Sequence, residues 1–448
     1  MKKYAIGLIF LSILALIGCV GVTTAFEPLE NLMKPPMVEG ENLSIRLAFE
    51  ENVGKNYLLK QPISGNYRSA YTFIDLTGDG ENEVVVFYSM NNDLGIVRMN
   101  VLDTVDGVWK SVADLQSVYN DIQEVAFSDL NGDGSKEIIV GWITLPDSYS
   151  KLLSVYEIKV DTDVYIEAIY SDNYTKFKVD DINSDGKGDI LTNNQIFADN
   201  SFEYTANLLM YNKGAILKKG NFDIDKSFSS LAAVSFDSVD ANNTRRIYID
   251  GYNADGSLAT DCISWNNDAE NFERYYIDDI SVSSLSLRTS NVLCKDINSD
   301  GKIEIPTEEY FAYYDSDENQ RGMNYINWVN ISNDNAKIVD TRVIFSQYGF
   351  SFSLNGEVFG KVIAENNSEK GVLTFYSVKE DAERYIKDKR LFSITVKSDL
   401  DLESISELSF QNSEVSYING KFYFCRLYDN AESLGITKKE VINRIIAG

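Results

Sequence analysis

One nine-residue pattern occurs four times in this chain of 448 residues, and its polar positions could bind a metal ion. The copies are DLTGDGENE at 75–83, DLNGDGSKE at 129–137, DINSDGKGD at 181–189 and DINSDGKIE at 296–304. Oxygen-bearing side chains stand at positions one, three, five and nine, and a tight loop adds a backbone carbonyl at position seven. This all-oxygen set suits a hard cation such as Ca²⁺. Glycine at position six permits the left-handed backbone that turns a chain around an ion.

EF-hand and dockerin-type loops begin in the same way, but they need a carboxylate at position twelve on an exiting helix. Here position twelve is Val86, Val140, Thr192 or Thr307, within apolar text typical of a strand. A second alternative is a solvated turn that binds nothing. We favour calcium, because three converging carboxylates would repel one another without a cation.

The spacing of the copies indicates a repeated structural unit. They begin at residues 75, 129, 181 and 296, just over fifty residues apart with one unit skipped. Weaker copies stand at 238–246, at 353–361 and near 408–418. Position nine is Arg246 in the first of these and Lys361 in the second, where a cationic side chain could replace the metal. Apolar residues persist at positions two and ten: Leu76, Leu130, Ile182, Val239, Ile297 and Leu354, and Val84, Ile138, Ile190, Ile247, Ile305 and Val362.

The sequence that follows each loop predicts the strands that hold the loop in place. An apolar run, an alternating strand, a polar turn and another strand follow, with almost no helical periodicity. Seven such units predict an all-β fold, a β-propeller of seven blades with four antiparallel strands each. Strand-like text at the N-terminus (NLSIRLAFE, KNYLLKQPI) is expected to complete the final blade. Thr437 and Glu440 have capping-box spacing and predict a helix over about 437–447.

The four loops resemble those of FG-GAP/VCBS-type repeats, the calcium-bearing β-propeller repeats also found in integrin α-subunit head domains. The resemblance covers most of the chain and implies up to four structural Ca²⁺ ions, with position seven ligating through its carbonyl. The implied ligands are Asp75, Thr77, Asp79, Glu81 and Glu83; Asp129, Asn131, Asp133, Ser135 and Glu137; Asp181, Asn183, Asp185, Lys187 and Asp189; and Asp296, Asn298, Asp300, Lys302 and Glu304.

Composition excludes several classes of function. The chain has no histidine, which removes the usual general base and most zinc sites. Lys and Arg total 41 against 68 Asp and Glu, and this net charge of −27 argues against nucleic acid as a partner. The 27 tyrosines and 23 phenylalanines either pack between strands or line a sugar-binding face.

The first residues, MKKYAIGLIFLSILALIGC, resemble a bacterial lipoprotein signal. We predict a signal peptide over 1–18, a lipidated Cys19 with a flexible tether over 19–42, and the propeller over 43–448. The protein would then be exported and anchored by lipid to the outer face of the cell membrane. The alternative is an ordinary signal peptide or anchor with an incidental cysteine.

Three cysteines follow Cys19, and their wide spacing favours buried thiols over disulfides: Cys262, Cys294 and Cys425. Cys294 falls at an apolar position of the repeat, so we predict a core thiol and not a nucleophile.

The leading hypothesis is a monomeric cell-surface binding or adhesion module for a protein or carbohydrate partner, with structural calcium and no catalysis. The alternatives are a calcium-stabilised enzyme acting on extracellular polysaccharide, or a structural envelope or spore protein.

Overall fold

The computed structural model describes residues 41–144, 151–160, 164–198, 201–238, 245–332, 335–356, 359–397 and 414–447. The predicted signal peptide, Cys19 and nearly all of the predicted tether lie outside the described residues, which begin at residue 41. The chain divides into two compact units, residues 1–122 with 158–167, and residues 123–157 with 168–448. No described helix is long and apolar enough to cross a membrane.

The first unit contains a helix and an antiparallel sheet. Its elements are α1 (Glu41–Val53), β1 (Tyr57–Leu59), β2 (Tyr71–Ile74), β3 (Glu83–Met90), β4 (Asp93–Val105) and β5 (Val108–Gln116). Strand β3 is almost wholly buried and pairs with β1, β2 and β4. The ring of Phe49 in α1 packs edge-on against Tyr57 and Tyr88, with centroid distances of 4.9 and 5.1 Å.

Two expectations for this N-terminal segment are wrong. The text NLSIRLAFE forms a helix and not a strand, because Ile45, Ala48 and Phe49 bury one helical face while Leu47 is 52% exposed. Strand β1 pairs with β3 of its own sheet, so it does not complete the final blade.

Three four-stranded antiparallel sheets follow, each joining consecutive strands in order. The second sheet contains β6 (Asp121–Ser128), β7 (Glu137–Ile143), β8 (Lys151–Val160) and β9 (Val164–Tyr174). The third contains β10 (Lys176–Asp180), β11 (Asp189–Ala198), β12 (Ser201–Asn212) and β13 (Ala215–Asp223). The fourth contains β14 (Phe228–Phe236), β15 (Arg246–Asn253), β16 (Leu258–Asn266) and β17 (Asn271–Arg274). Each second strand begins at position nine, and its next residue, the predicted apolar position ten, is completely buried in Ile138, Ile190 and Ile247.

A short hairpin and helix connect these sheets to the C-terminal strands. They are β18 (Tyr276–Ile277), β19 (Ile280–Ser281) and α2 (Val282–Leu285). One group of the following strands comprises β20 (Ile305–Tyr314), β21 (Gln320–Ser332), β22 (Asn335–Phe345), β23 (Phe350–Ser353) and β29 (Ile445–Ala447). A second comprises β24 (Val362–Asn367), β25 (Val372–Asp381), β26 (Arg384–Lys397), β27 (Glu414–Ile418) and β28 (Lys421–Leu427).

The C-terminal strands differ from the predicted four-strand repeat. Strand β23 pairs with β22 and β29, and β24 pairs with β25. A parallel bridge between Tyr314 and Ile386 joins the two groups into one sheet. The side-chain core still follows the repeat, since Leu354 and Val362 are buried.

The C-terminal helix is shorter than predicted. After α3 (Asp429–Ser433), helix α4 spans Lys438–Asn443 and begins at Thr437, whose hydroxyl accepts the Glu440 N–H at 3.2 Å. Residues 445–447 form β29 because Ile445 pairs with Phe352 and is buried.

These sheets confirm the predicted fold class, an all-β propeller with a short C-terminal helix. Cys262, Cys294 and Cys425 are buried thiols, as predicted. Burial raises the pKa of the Cys294 thiol well above its ordinary value, which agrees with a core role.

Candidate metal centre

Each of the four predicted metal loops immediately precedes a strand whose first residues are buried. Loop I (75–83) leads into β3, loop II (129–137) into β7, loop III (181–189) into β11 and loop IV (296–304) into β20. The position-six glycines are left-handed, as predicted, with φ of 91°, 95°, 87° and 82° in loops I to IV. Each loop therefore reverses the chain at the same position.

The position-one aspartate organises the backbone of its own loop. In loop II the Asp129 carboxylate accepts the N–H groups of Gly132 and Gly134 at 2.6 and 2.9 Å. The corresponding aspartates of loops I, III and IV, Asp75, Asp181 and Asp296, accept backbone N–H groups in the same manner. Each carboxylate oxygen has a second lone pair, so these bonds leave acceptor capacity at position one.

Positions three, five and seven are linked by a second set of hydrogen bonds. The position-seven N–H donates to the position-five carboxylate in every loop, at 2.8 to 2.9 Å. The residues at position seven are Glu81, Ser135, Lys187 and Lys302, and their acceptors are Asp79, Asp133, Asp185 and Asp300. In loop II the side-chain amide of Asn131 also donates to Asp133 and Glu137, both at 3.0 Å.

The amides of Asn183 and Asn298 donate to their position-five carboxylates at 3.3 and 3.0 Å. In loop I, Thr77 takes the equivalent place and its N–H donates to Glu83 at 3.1 Å. An amide donor thus lies between two carboxylates in loop II, and donates to the position-five carboxylate alone in loops III and IV.

The position-nine carboxylate is the most deeply buried polar group of each loop. Glu83, Glu137, Asp189 and Glu304 are 0–2% exposed. One oxygen accepts the N–H of position two, at 2.6 Å for Leu76, 2.7 Å for Leu130, 3.0 Å for Ile182 and 3.0 Å for Ile297. The sequence pattern predicted position nine as a ligand but missed this structural bond, which spacing alone does not reveal.

Burial is the main cause that raises the pKa of Glu137 to about 7; the Leu130 hydrogen bond lowers it, and the charges of Asp133, Glu157 and Asp129 raise it. The pKa of Asp189 is likewise raised to about 7, by burial and by Asp185 and Asp181. Both carboxylates therefore lie in a negative, poorly solvated environment that a cation would relieve.

The residues present fit calcium in the kind of donor they supply, because each loop combines carboxylate, amide or hydroxyl, and carbonyl oxygens. Within the described ranges, no group of three or more Asp, Glu, His or Cys side chains is gathered closely enough to chelate an ion. Ion binding in loop II would require the Asn131 amide to present its oxygen in place of its nitrogen.

Neighbouring loops of the second unit are tied together. The Gly188 N–H of loop III donates to the Asp129 carbonyl of loop II at 2.8 Å. A Cβ on Gly188 would lie 2.0 Å from the Ser128 hydroxyl, so this position requires glycine. The Ile303 N–H of loop IV donates to the Asp237 carboxylate at 2.7 Å.

The two cationic replacements at position nine behave differently. Arg246 is 7% exposed and its guanidinium lies 3.4 Å from the Asp237 carboxylate, so a buried cation is present beside this weaker copy. Lys361 is exposed at the end of a short 3₁₀ helix (Phe359–Lys361), so it does not replace a buried ion. Residues 239–244 lie outside the described part of the chain.

No protein-family model matches the chain, and no curated protein matches it. Among solved structures, a B. megaterium levansucrase mutant is 8% identical, with a TM-score of 0.29, covering 63% of this chain and 84% of its own. A mannose phosphorylase from Leishmania mexicana, in complex with phosphate, is 10% identical, with a TM-score of 0.25, covering 61% of this chain and 84% of its own. These TM-scores are too low for either structure to indicate an activity.

Proposed function

We propose that this chain is a calcium-stabilised β-propeller that acts outside the cell as a binding module for a protein or carbohydrate. The observation that supports calcium is the buried position-nine carboxylate, which recurs in four loops beside two further aspartates. A divalent cation would offset the charge that burial makes costly.

Calcium would have a structural role in this proposal. When bound, the ion would supply positive charge beside the acidic side chains of each loop. The chain's own residues hold the loop through the position-nine carboxylate and through contacts such as Gly188 to Asp129. Strands on either side of the loop would then be joined more firmly, and the exposed surfaces left for a partner.

Calcium binding is tested by calorimetry and by melting of the purified chain in calcium and in chelator. Asp133→Asn should remove one binding event and lower the calcium-dependent rise in melting temperature. Asp317→Asn is the matched control, since Asp317 lies in an exposed turn between β20 and β21. An unchanged melting temperature in chelator would contradict the structural role.

Export and lipid anchoring rest on the N-terminal sequence, which resembles a lipoprotein signal with Cys19 at its end. Cells expressing the chain should incorporate a fatty-acid probe into the wild type and not into Cys19→Ala. Equal labelling of both proteins would reject the anchor while leaving the calcium proposal untouched.

The partner class is tested by presenting the purified chain, in calcium, to arrays of glycans and of surface proteins. Saturable binding without change of the bound molecule supports a binding module. Conversion of a glycan to a new product would support the rival hypothesis, an enzyme acting on polysaccharide.

A further inference from the structure

A cavity of about 500 Å³ lies beside β21, β22 and β23. The segment 291–295, which leads into loop IV, forms its other wall. Sites for small ligands have volumes of roughly 300–1,000 Å³, so this cavity can hold a molecule of one or two rings. None of the predicted metal ligands lines it.

The apolar part of the cavity centres on Trp328. This side chain is 1% exposed and Phe350 is 2% exposed, so the accessible part of the apolar wall comes from Leu293 and Ile344. The Trp328 Nε1–H is buried and has no hydrogen-bond partner among the described residues. A buried donor without a partner costs free energy, so the fold holds this ring at an energetic cost.

Two cations flank the same ring. The Lys295 ammonium and the Arg342 guanidinium each lie 5.7 Å from the Trp328 ring centroid. Arg342 donates from Nε to the Asp340 carboxylate at 2.5 Å, and Asp340 also accepts the Ser353 hydroxyl at 3.0 Å. Asp340 therefore offsets the Arg342 charge, whereas Lys295 makes no ion pair within the described residues and is exposed.

The charge balance indicates the class of ligand. Because Asp340 offsets Arg342, the charge of Lys295 gives the cavity a net charge of +1, in a chain whose net charge is −27. One carboxylate would match that charge, and a guanidinium is well suited to hydrogen-bond a carboxylate. The apolar wall would receive the body of the molecule.

We propose that this cavity binds a small monoanion that carries one carboxylate on a ring-sized body. The carboxylate lies between Lys295 and Arg342, and the body packs against Leu293 and Ile344. A sugar acid and an aromatic acid share this chemistry. The site directly precedes loop IV, since the Lys295 backbone bonds to that of Glu304, but the proposal does not rest on the function proposed above.

Calorimetry on the purified full chain in constant calcium tests the proposal. The probes are glucuronate and phenylacetate, each compared with a neutral partner of similar shape, glucose or 2-phenylethanol. Binding of glucuronate assigns a sugar acid, and binding of phenylacetate assigns an aromatic acid. Either result supports the site only if the neutral partner binds roughly tenfold more weakly, as expected for loss of a charged hydrogen bond.

Lys295→Gln should weaken carboxylate binding about tenfold. Lys337→Gln, which removes an exposed lysine of β22 outside the cavity, should leave binding unchanged. Because Lys295 is exposed, its replacement should not unfold the chain, and an unchanged melting temperature verifies this.

The proposal is overturned if neither acid binds, if the neutral partners bind equally well, or if Lys295→Gln binds as the wild type does. None of these results would affect calcium binding by the loops, which Asp133→Asn tests separately.

Discussion

The position-nine carboxylate combines two roles within one side chain. Its buried oxygen accepts the position-two N–H at the start of the loop, as Glu137 does for Leu130. Its burial and its acidic neighbours raise its pKa, so the same side chain is costly to ionise without a cation. Folding of the loop therefore requires a hydrogen-bond acceptor at position nine. The negative charge of that side chain is needed only for binding an ion.

Glu137→Ala should lower the free energy of unfolding by about 1–3 kcal/mol even in chelator, because the Leu130 N–H loses its buried acceptor. Glu137→Gln keeps an acceptor of similar shape and removes the charge. It should therefore be much less destabilised in chelator, but should gain less stability from calcium. Urea denaturation of both variants measures this, and equal losses in chelator would contradict the argument.

Glu124 gives a pH dependence remote from the loops. Burial raises its pKa above the ordinary value of 4.5, although Lys178, Lys176 and Lys151 act to lower it. The folded state therefore holds this proton more tightly than the unfolded state does. The stability contributed by Glu124 is fully present below pH 4.5 and is lost as the pH rises through its raised pKa.

Glu124→Gln should consequently flatten the fall in stability between about pH 4.5 and pH 8. At pH 8 the variant should be at least as stable as the wild type. Denaturation curves across this pH range provide the measurement, with Glu369→Gln as an exposed control. A steeper fall for Glu124→Gln would mean that its attraction to the lysines outweighs its burial.

The elements with a repeated sequence pattern could be predicted, and those at the two ends of the chain could not. Apolar positions two and ten identified Leu130 and Ile138 as core, because a strand entering a sheet must bury that face. In α1, Leu43, Ile45, Leu47 and Phe49 alternate as in a strand, but helix formation buries Ile45 and Phe49 together. Such a short segment fits both periods, and only packing against β3 and β4 decides between them.

The candidate loops show the same limit of sequence patterns. Their ligand types and left-handed glycines could be predicted because both follow from local chemistry. The contact between Gly188 and Asp129 could not, since it joins separate repeats. The cavity beside Trp328 was also missed, because its cations come from the segment before loop IV and from β22, with no motif in common.

Strand β29 provides a prediction for the C-terminal elements. Ile445→Ala should lower the free energy of unfolding by about 2 kcal/mol, because Ile445 is buried where β29 pairs with β23. Asn443→Ala, at an exposed position of α4, is the control and should change stability little. Chemical denaturation distinguishes them, and equal effects would contradict the importance of this strand.

For the whole molecule, the net charge of −27 has its own effect on stability. Like charges destabilise a compact chain, and simple salt screens them. Four calcium ions would offset about eight negative charges and would do so at fixed positions.

The melting temperature should therefore rise more in calcium chloride than in sodium chloride of equal ionic strength. The increase with calcium should saturate once the loops are filled, whereas screening by sodium chloride should rise gradually. Differential scanning calorimetry in the two salts provides the comparison. Identical curves would mean that calcium acts only as a general electrolyte.

Because β23 pairs with β29, one edge of β23 stays uncovered until the C-terminal residues have been synthesised. Ser351 bonds to Ile446, 95 positions later in the chain, so β23 emerges from the ribosome long before its outer neighbour exists. During that interval its outward N–H and C=O groups are a template for any other extended chain. Residues 445–447 cover this edge only once they have been synthesised, so in the nascent chain β23 is the strand most exposed to pairing with another chain.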